Sequence, residues 1–282
     1  MNKSQSRVSK KNLKLIAAVA VTALVGVSSA QAGVIEFNPS GTGFPGAIPA
    51  SSGIDVHGSG FVTMGQDQNN PGNYIFSERG AYQLVQTDHT SPIGTHDITL
   101  TYSIMGAVNP ATGALSFTAG SFNLYSDPTF NFGTASSNPS VVFGANDGVL
   151  IASFLISGGS GQANGNAYFN GNAIADSIRS GYFFSSTGED LSLTGNLHFS
   201  VDIGNSVVSP TTNELSELIC KNPVFPTPGC GQGNYANTPY YFAVRDGGTV
   251  NLSTTVPEPG SMALAFAGLM GLGFSSRRTR KK

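Results

Sequence analysis

The 282-residue chain lacks the residue patterns that mark several common enzyme classes. It has no His-Glu-x-x-His zinc motif, no Gly-x-Ser-x-Gly nucleophile turn and no Gly-Lys-Ser/Thr phosphate loop. Its two cysteines, with no histidine nearby in sequence, cannot supply the four ligands of a structural zinc site. The sequence therefore predicts no catalytic residues, no metal and no cofactor.

Basic residues are scarce in the central part of the chain. Of 14 Lys and Arg, only four lie between Gly33 and Val256, against fifteen of the 16 Asp and Glu, so this part carries a net charge of −11. An acidic body disfavours nucleic acid as a partner, because phosphates need cations. Tryptophan is absent, but 18 Phe and 9 Tyr argue for a folded core and against disorder.

The N-terminus has the three parts of a secretory signal. Five cations precede an apolar run from Leu15 to Val27, and Ala30 and Ala32 place small residues where signal peptidase reads them. The 13-residue run is short for a membrane span, which needs about 20 residues, although a buried helix or an anchor is the alternative. We expect residues 1–32 to be a signal peptide cleaved before Gly33.

The C-terminal segment 256–282 begins with a short strip that contains two prolines. This strip is expected to be extended, since proline fixes its own φ and biases the preceding residue towards extended conformations. This strip consists of Val256, Pro257, Glu258 and Pro259. An uncharged apolar stretch, 260–274, follows and predicts a short transmembrane helix of about 22 Å. The basic end, 277–282, is expected to stay cytoplasmic. A plain C-terminal anchor is the alternative.

These residues resemble the PEP-CTERM sorting signal, which pairs a Pro-Glu-Pro box with a short apolar helix and a basic end. The resemblance implies that signal peptidase and exosortase are partners during export. It also implies a transient stay in the inner membrane, followed by an extracellular or cell-surface location. It says nothing about the activity of residues 33–255.

The body, residues 33–255, shows the two-residue alternation of β-strands. From His96 to Met105, large apolar residues alternate with Thr and Ser. A phase shift of the alternation around 119–121 predicts a bulge. The continuous apolar run 149–156 predicts a central strand.

Glycine-rich stretches between these runs predict connections. Residues 245–248 are expected to form a hairpin turn and 158–172 a surface loop. Only 173–179 and 213–219 are compatible with a helical period. Many short strands with Gly, Asn and Pro turns predict an all-β fold, an antiparallel β-sandwich or jelly roll.

The two cysteines, Cys220 and Cys230, bracket a stretch with three prolines. Export places them in an oxidising compartment, which favours a disulfide. On the chain-entropy account, closing this short loop stabilises the fold by roughly 2–3 kcal/mol.

Three groups of residues are candidate sites. Asp88-His89 and His96-Asp97 could bind a divalent metal across a turn, or could simply form a polar loop. Carboxylates at several positions could serve a glycosidase, but no spacing selects a pair among Glu36, Glu78, Glu189 and Glu214. Two aromatic runs could stack on sugars or could belong to core strands: Tyr182-Phe183-Phe184 and Tyr240-Tyr241-Phe242.

Four body segments resemble the flocculation-associated PEP-CTERM proteins. They are 37–43, 149–156, 181–191 and 241–248. The resemblance implies a non-enzymatic matrix protein that promotes flocculation or biofilm aggregation with extracellular polysaccharide as its partner. A secreted carbohydrate-binding module and a metal-assisted hydrolase are the alternatives.

Overall fold

The computed structural model describes residues 35–50, 54–86, 91–164, 166–221 and 235–254. All of them belong to one compact unit, Gly33–Thr255. The signal-peptidase residues Ala30, Ala32 and Gly33 lie outside the described residues, as do Cys230 and the C-terminal segment 256–282.

Eight long antiparallel strands close into a barrel. In chain order they are β3 (Ile54–Gln66), β4 (Tyr74–Val85), β5 (Asp97–Val108), β6 (Ala114–Asp127), β7 (Val149–Asn164), β8 (Asn166–Ile178), β10 (His198–Val208) and β11 (Tyr241–Ser253). Strands β3 to β7 each pair with the next strand in the chain. Strand β10 pairs with both β8 and β11, and β11 pairs with β3, which closes the ring. No strand of this group is left with a free edge.

A small sheet of three short strands lies at one end of the barrel. It contains β1 (Ile35–Phe37), β2 (Ile48–Ala50) and β9 (Phe183–Ser185), with β1 in the middle. Its apolar side chains join the same core cluster as the barrel interior, and the Phe37 and Phe183 rings are 5.1 Å apart. The Ser126 hydroxyl at the end of β6 donates to the Pro39 carbonyl, 2.5 Å away, which ties the sheet's connection to this barrel end.

Short helical segments complete the described fold. They are the 3₁₀ turns Phe44–Gly46 and Leu191–Leu193, the α-helical turn α1 (Thr212–Glu214) and the π-helix Leu215–Cys220 that continues it. Thr211 and Glu214 form a capping box at the start of α1. The helical period noted at 213–219 is therefore confirmed.

The all-β prediction is confirmed, but the sandwich or jelly roll is wrong: the strands form a closed barrel and a small sheet. In-and-out alternation is the same in both architectures, because either one buries one face of each strand. The outcome depends on two pairings between strands that are not neighbours in sequence: β8 with β10, and β11 with β3.

Two predicted connections are also wrong. Residues 245–248 lie inside the continuous strand β11, and residues 158–172 include the paired ends of β7 and β8 that meet at their hairpin turn. Residues 173–178 are part of β8 and not of a helix. Glycine is tolerated in these strands because each strand is paired on both sides. At several positions a neighbouring atom also occupies the space that a side chain would fill.

Other strand predictions are confirmed. The even-numbered residues of β5 from Ile98 to Ile104 are buried in the barrel core. The β5–β6 register shifts between Met105 and Gly106, which pair with Ala119 and Phe117, so Thr118 is the extra residue of a bulge. The apolar run 149–156 lies in β7, which pairs with a strand on each side.

An outer layer covers one side of the barrel. Outward-facing Phe61 and Ala81 are fully buried beneath Phe143, Ala145 and the apolar side of the π-helix. Glu217 of the π-helix, 1% exposed, holds this layer together. It accepts hydrogen bonds from the backbone N–H groups of Ser136 and Phe143, both 3.1 Å, and pairs with Lys221 Nζ at 2.7 Å. The outer faces of β7, β8 and β10 carry exposed side chains.

Candidate functional site

A cluster of polar side chains lies inside the barrel, surrounded by apolar core. Glu78 on β4, Tyr102 on β5, Asn205 on β10 and Asp246 on β11 all point inward and are at most 5% exposed. The Tyr102 hydroxyl oxygen lies 2.8 Å from Glu78 Oε1 and 2.8 Å from Asp246 Oδ2. Asn205 Nδ2 donates to Glu78 Oε1 over 3.4 Å. Four strands therefore bring two carboxyl groups together around one hydroxyl.

Glycine makes room for this cluster. A Cβ atom at Gly60 on β3 would overlap the Tyr102 hydroxyl and come within 2.9 Å of Glu78 Oε1. At Gly80 on β4 it would lie 2.6 Å from the same hydroxyl. The Tyr102 ring also stacks on Tyr82, with centroids 4.7 Å apart. The bulk of the Tyr102 side chain thus explains Gly60, and at Gly80 the Ser59 carbonyl oxygen, which the same Cβ would overlap, adds a second reason for glycine.

The hydrogen-bond pattern requires at least one proton on the two carboxyl groups. A phenol has a single O–H, so Tyr102 can donate to only one of its two carboxyl neighbours. The other contact is a hydrogen bond only if that carboxyl is protonated and donates to the phenol oxygen. Burial raises the pKa of Glu78 to about 7, although Tyr102 and Asn205 hold it down. Burial, and then the charge of Glu78, raise the pKa of Asp246 well above its ordinary value.

A cavity of about 120 Å³ lies beside this cluster, towards the barrel end that carries the β3–β4, β5–β6 and β7–β8 turns. Its wall is apolar apart from Glu78 and Asn205. The apolar side chains are Val62, Met64, Phe76, Val108, Leu115, Phe117, Ala163, Ala167, Phe169, Val207, Phe242 and Val244. Val207 is 55% exposed, whereas Val62, Phe169 and Val244 are buried, so the cavity runs from the surface to the polar cluster.

A second feature is the outer face of β8 and β10. Tyr168, Asn170 and Asn172 alternate outward along β8, and Asp202 on β10 is directly opposite Asn170. The Tyr168 hydroxyl donates to Asp202 Oδ1 over 2.5 Å, and this hydrogen bond raises the pKa of Tyr168. Ser160 on β7 is opposite Asn170 on the other side. An exposed aromatic ring is thus placed among amide, hydroxyl and carboxylate groups.

Of the four carboxylates weighed for catalysis, only Glu78 meets a second carboxylate, Asp246. Glu36 is in the small sheet, and Glu189 is exposed in the segment that follows β9. Glu214 accepts from Ser59 Oγ over 2.5 Å, and Arg245 Nη2 lies 3.4 Å away. Hydrogen bonds from Ser59 and Thr211 lower the pKa of Glu214 against the opposing effect of its burial.

Asp246 was missed because it was assigned to a turn. The available signal was the alternation across 242–252, in which Phe242, Val244, Val250 and Leu252 occupy even positions together with Asp246. A strand continuing through both glycines places Asp246 on the same inward face.

The weighed histidine pairs are not joined into a site within the described residues. Asp88 and His89 lie outside those residues. Asp97 is 1% exposed and accepts from Gln83 Nε2 at 2.7 Å and from the Phe132 N–H at 3.2 Å. The described ranges contain no cluster of three or more His, Cys, Asp or Glu side chains that could hold a metal ion.

The two aromatic runs have different surroundings. Tyr182, Phe183 and Phe184 are buried, as expected of core residues. Tyr240 and Tyr241 are exposed, and the Tyr240 ring lies 6.0 Å from that of Tyr74.

Cys220 ends the π-helix and packs against the outer apolar cluster. Its predicted disulfide partner, Cys230, is outside the described residues, so the disulfide stays a prediction. The predicted transmembrane helix 260–274 is also outside them. Within the parts of the chain that the structure does describe, no helix is both long and apolar enough to cross a membrane.

Comparison with known proteins identifies the C-terminal segment. No curated protein and no solved structure shows significant similarity to the chain. Residues 255–278 match the family model of the PEP-CTERM protein-sorting motif, and this segment includes the Pro-Glu-Pro tripeptide 257–259. The chain therefore carries a PEP-CTERM sorting motif, the signal of an exported protein that exosortase processes at the membrane.

Proposed function

We propose that this chain is a non-enzymatic surface or matrix protein. After exosortase processing it associates with exopolysaccharide and promotes flocculation or biofilm aggregation. The observation that carries the proposal is the outer face of β8 and β10, on a body that the sorting motif sends out of the cell.

The chemistry of this face suits sugars. Sugar rings have apolar C–H faces that pack on aromatic rings and hydroxyl groups that exchange hydrogen bonds with amides and carboxylates. Tyr168 is 51% exposed, and its hydroxyl is held by Asp202. Six residues further along β8, Ile174 forms an exposed cross-strand pair with Leu155, and the two are 44% and 52% exposed. This pair adds a second apolar patch to the same face. Asn170 and Asn172 supply donors and acceptors between the two.

The face is also rigid and repetitive, as association with a long polymer requires. Strand β8 is paired to β7 along one edge and to β10 along the other, so its outward side chains have fixed spacings. Preorganised side chains lose little conformational entropy on binding. A polymer can contact the same face at many points, and several weak contacts add up through effective concentration.

A discrete carbohydrate-binding module is the second candidate, favoured by the same hydrogen bond between Tyr168 and Asp202. The two candidates differ in ligand. A module binds a defined oligosaccharide with 1:1 stoichiometry, which a glycan array followed by calorimetry detects. A matrix protein is retained by the polymer and not by short fragments of it.

The experiment compares cells lacking the chain with cells complemented by wild type, Tyr168→Ala or Tyr240→Ala. Tyr240 is a matched control, because it is 47% exposed and lies elsewhere on the barrel. We expect deletion to abolish flocs while polysaccharide is still made. We expect Tyr168→Ala to lower the amount of chain in the polysaccharide fraction about tenfold, as loss of one aromatic anchor does.

Normal flocs after deletion would refute the role in aggregation. A loss of retention in Tyr240→Ala but not in Tyr168→Ala would refute the location on β8 and β10. Immunoblots of total protein show whether each variant is made and exported.

A further inference from the structure

The cavity in the barrel contains an acceptor that the protein leaves unused. Asn205 is 4% exposed and lines the cavity, and its Oδ1 has no hydrogen-bond partner among the described residues. Buried side-chain oxygens nearly always have a partner, since losing water without a replacement hydrogen bond is unfavourable. Because Asn205 lines the cavity, a ligand bound there is in a position to supply the missing donor.

The second acceptor in the cavity wall is the Glu78 carboxyl group. Glu78 and Asp246 are buried without an opposing cation: the cavity wall contains no Lys or Arg. Two arginines adjoin the pair in sequence, Arg79 after Glu78 and Arg245 before Asp246, and both lie on the outer face of their strands. Arg79 lines an outer pocket with Ser77 and Ser103, and Arg245 is 55% exposed and lies beside Glu214. A buried carboxylate is stable only when a cation or several donors face it.

The remaining wall limits the size and polarity of the ligand. Apart from Glu78 and Asn205 it is built from Val, Met, Phe, Ala and Leu side chains. Phe76 and Phe117 meet edge to face with centroids 5.8 Å apart, and Phe169 lies 5.2 Å from Phe117. A volume of about 120 Å³ is close to that of a protein cavity of about 150 Å³ that binds benzene. One aromatic ring or a short branched alkyl group fits.

We propose that the barrel cavity binds a small apolar primary amine, with its ammonium group between Glu78 and Asn205 and its hydrocarbon part among the three phenylalanines. An ammonium group has three N–H donors and no acceptor, which matches two acceptor side chains in the wall. Its charge also compensates the carboxyl pair. An alcohol offers a single donor and no charge, and a carboxylate would place a third acidic group against the other two.

Binding of the amine is coupled to the proton on Glu78. The groups that face Glu78 are Tyr102 from β5, Asn205 from β10, Asp246 from β11 and, beyond Tyr102, Tyr82 from its own strand. None of these carries a positive charge. The ammonium group pairs best with ionised Glu78, so affinity rises with pH while the amine itself stays protonated.

The experiment titrates the full chain with benzylamine by calorimetry and compares benzyl alcohol, benzoate and toluene. We expect benzylamine to bind about tenfold or more tightly than benzyl alcohol, no binding of benzoate, and a rise in benzylamine affinity from pH 6 to pH 8. Glu78→Gln is expected to weaken benzylamine at least tenfold and to leave benzyl alcohol unchanged. Glu189→Gln, an exposed carboxylate, is the control.

If Glu78→Gln does not fold, Val207→Trp tests the same site from the cavity rim. The larger side chain blocks the entrance, so we expect this variant to bind none of the ligands. Absence of benzylamine binding to wild type would refute the proposal. Equal affinity for benzylamine in wild type and Glu78→Gln would do the same. Tighter binding of toluene or benzyl alcohol than of benzylamine would refute the amine as the ligand class.

Discussion

The carboxyl pair inside the barrel makes stability depend on pH in an unusual direction. Glu78 has an ordinary pKa of 4.5, which applies to the unfolded chain, and a pKa of about 7 in the fold. Between these values the folded chain holds a proton that the unfolded chain has released. The contribution of Glu78 to the free energy of unfolding is therefore fully present below pH 4.5 and is lost as the pH rises through 7. The raised pKa of Asp246 acts in the same sense.

The magnitude follows from linkage. Raising the pH from 4.5 to beyond the folded pKa of Glu78 lowers the free energy of unfolding by about 3 kcal/mol from this group alone. Glutamine has the shape of a protonated glutamic acid and does not ionise. Raising the pH from 5 to 8 is thus expected to shift the stability difference between Glu78→Gln and wild type by about 2 kcal/mol in favour of the variant.

The assay is urea unfolding of the full chain at pH 5 and pH 8, followed by circular dichroism. Groups away from the carboxyl pair contribute equally to both proteins and cancel in the difference. Asp246 does not cancel fully, because its pKa is raised by burial and also by the charge of Glu78. Asp190 and Glu214, whose pKa values are lowered, lose their contribution only at more acidic pH. Glu189→Gln serves as the surface control and should follow wild type at both pH values.

Parallel pH profiles for wild type and Glu78→Gln would refute the reasoning, since they would mean that Glu78 has the same pKa in the folded and unfolded chain. A profile of wild type that rises from pH 5 to pH 8 while that of Glu78→Gln stays flat would show that Glu78 is ionised and stabilised by its neighbours.

Three further predictions concern other parts of the chain. Tyr102→Phe removes the hydroxyl between the two carboxyl groups and should lower stability by about 1–3 kcal/mol in urea unfolding, whereas a change within error would mean that the hydroxyl bridges nothing. Cys220 and Cys230 should resist alkylation in the exported, unreduced chain and react after reduction; ready alkylation of both without reductant would remove the disulfide. Replacing residues 257–259 with three alanines should keep the chain full length in the inner membrane on immunoblots, whereas release equal to wild type would contradict sorting by this tripeptide.

Local patterns determined many of the strands and which of their residues face the core. Alternation along β5 placed Ile98 and Leu100 correctly, and the break near residue 119 marked a real bulge. These features were readable because side-chain direction in a strand follows a period of two, regardless of which strand lies next to it. The C-terminal sorting motif was equally readable, since it is recognised as a linear segment.

Glycine led to wrong turn and loop predictions where a strand contains small residues because a neighbouring strand packs closely against it. In β11 the pair Gly247-Gly248 resembled a turn, yet a Cβ at Gly248 would overlap the carbonyl of Asp202 on the neighbouring strand. In β7 and β8, glycines that indicated a loop are paired across the hairpin. The sequence does not distinguish a glycine that is required by close backbone packing from one that is required by a turn.

The sequence by itself determined that the chain is exported, sorted by its C-terminal motif and built from β-strands. Only the tertiary structure decided that these strands close into a barrel and that Glu78 meets Asp246, 168 positions away. Barrel closure depends on the pairing of β8 with β10 and of β11 with β3, two contacts that no local pattern encodes. The site depends on that closure, because Glu78, Tyr102, Asn205 and Asp246 stand on four strands and converge only when the sheet curves into a ring.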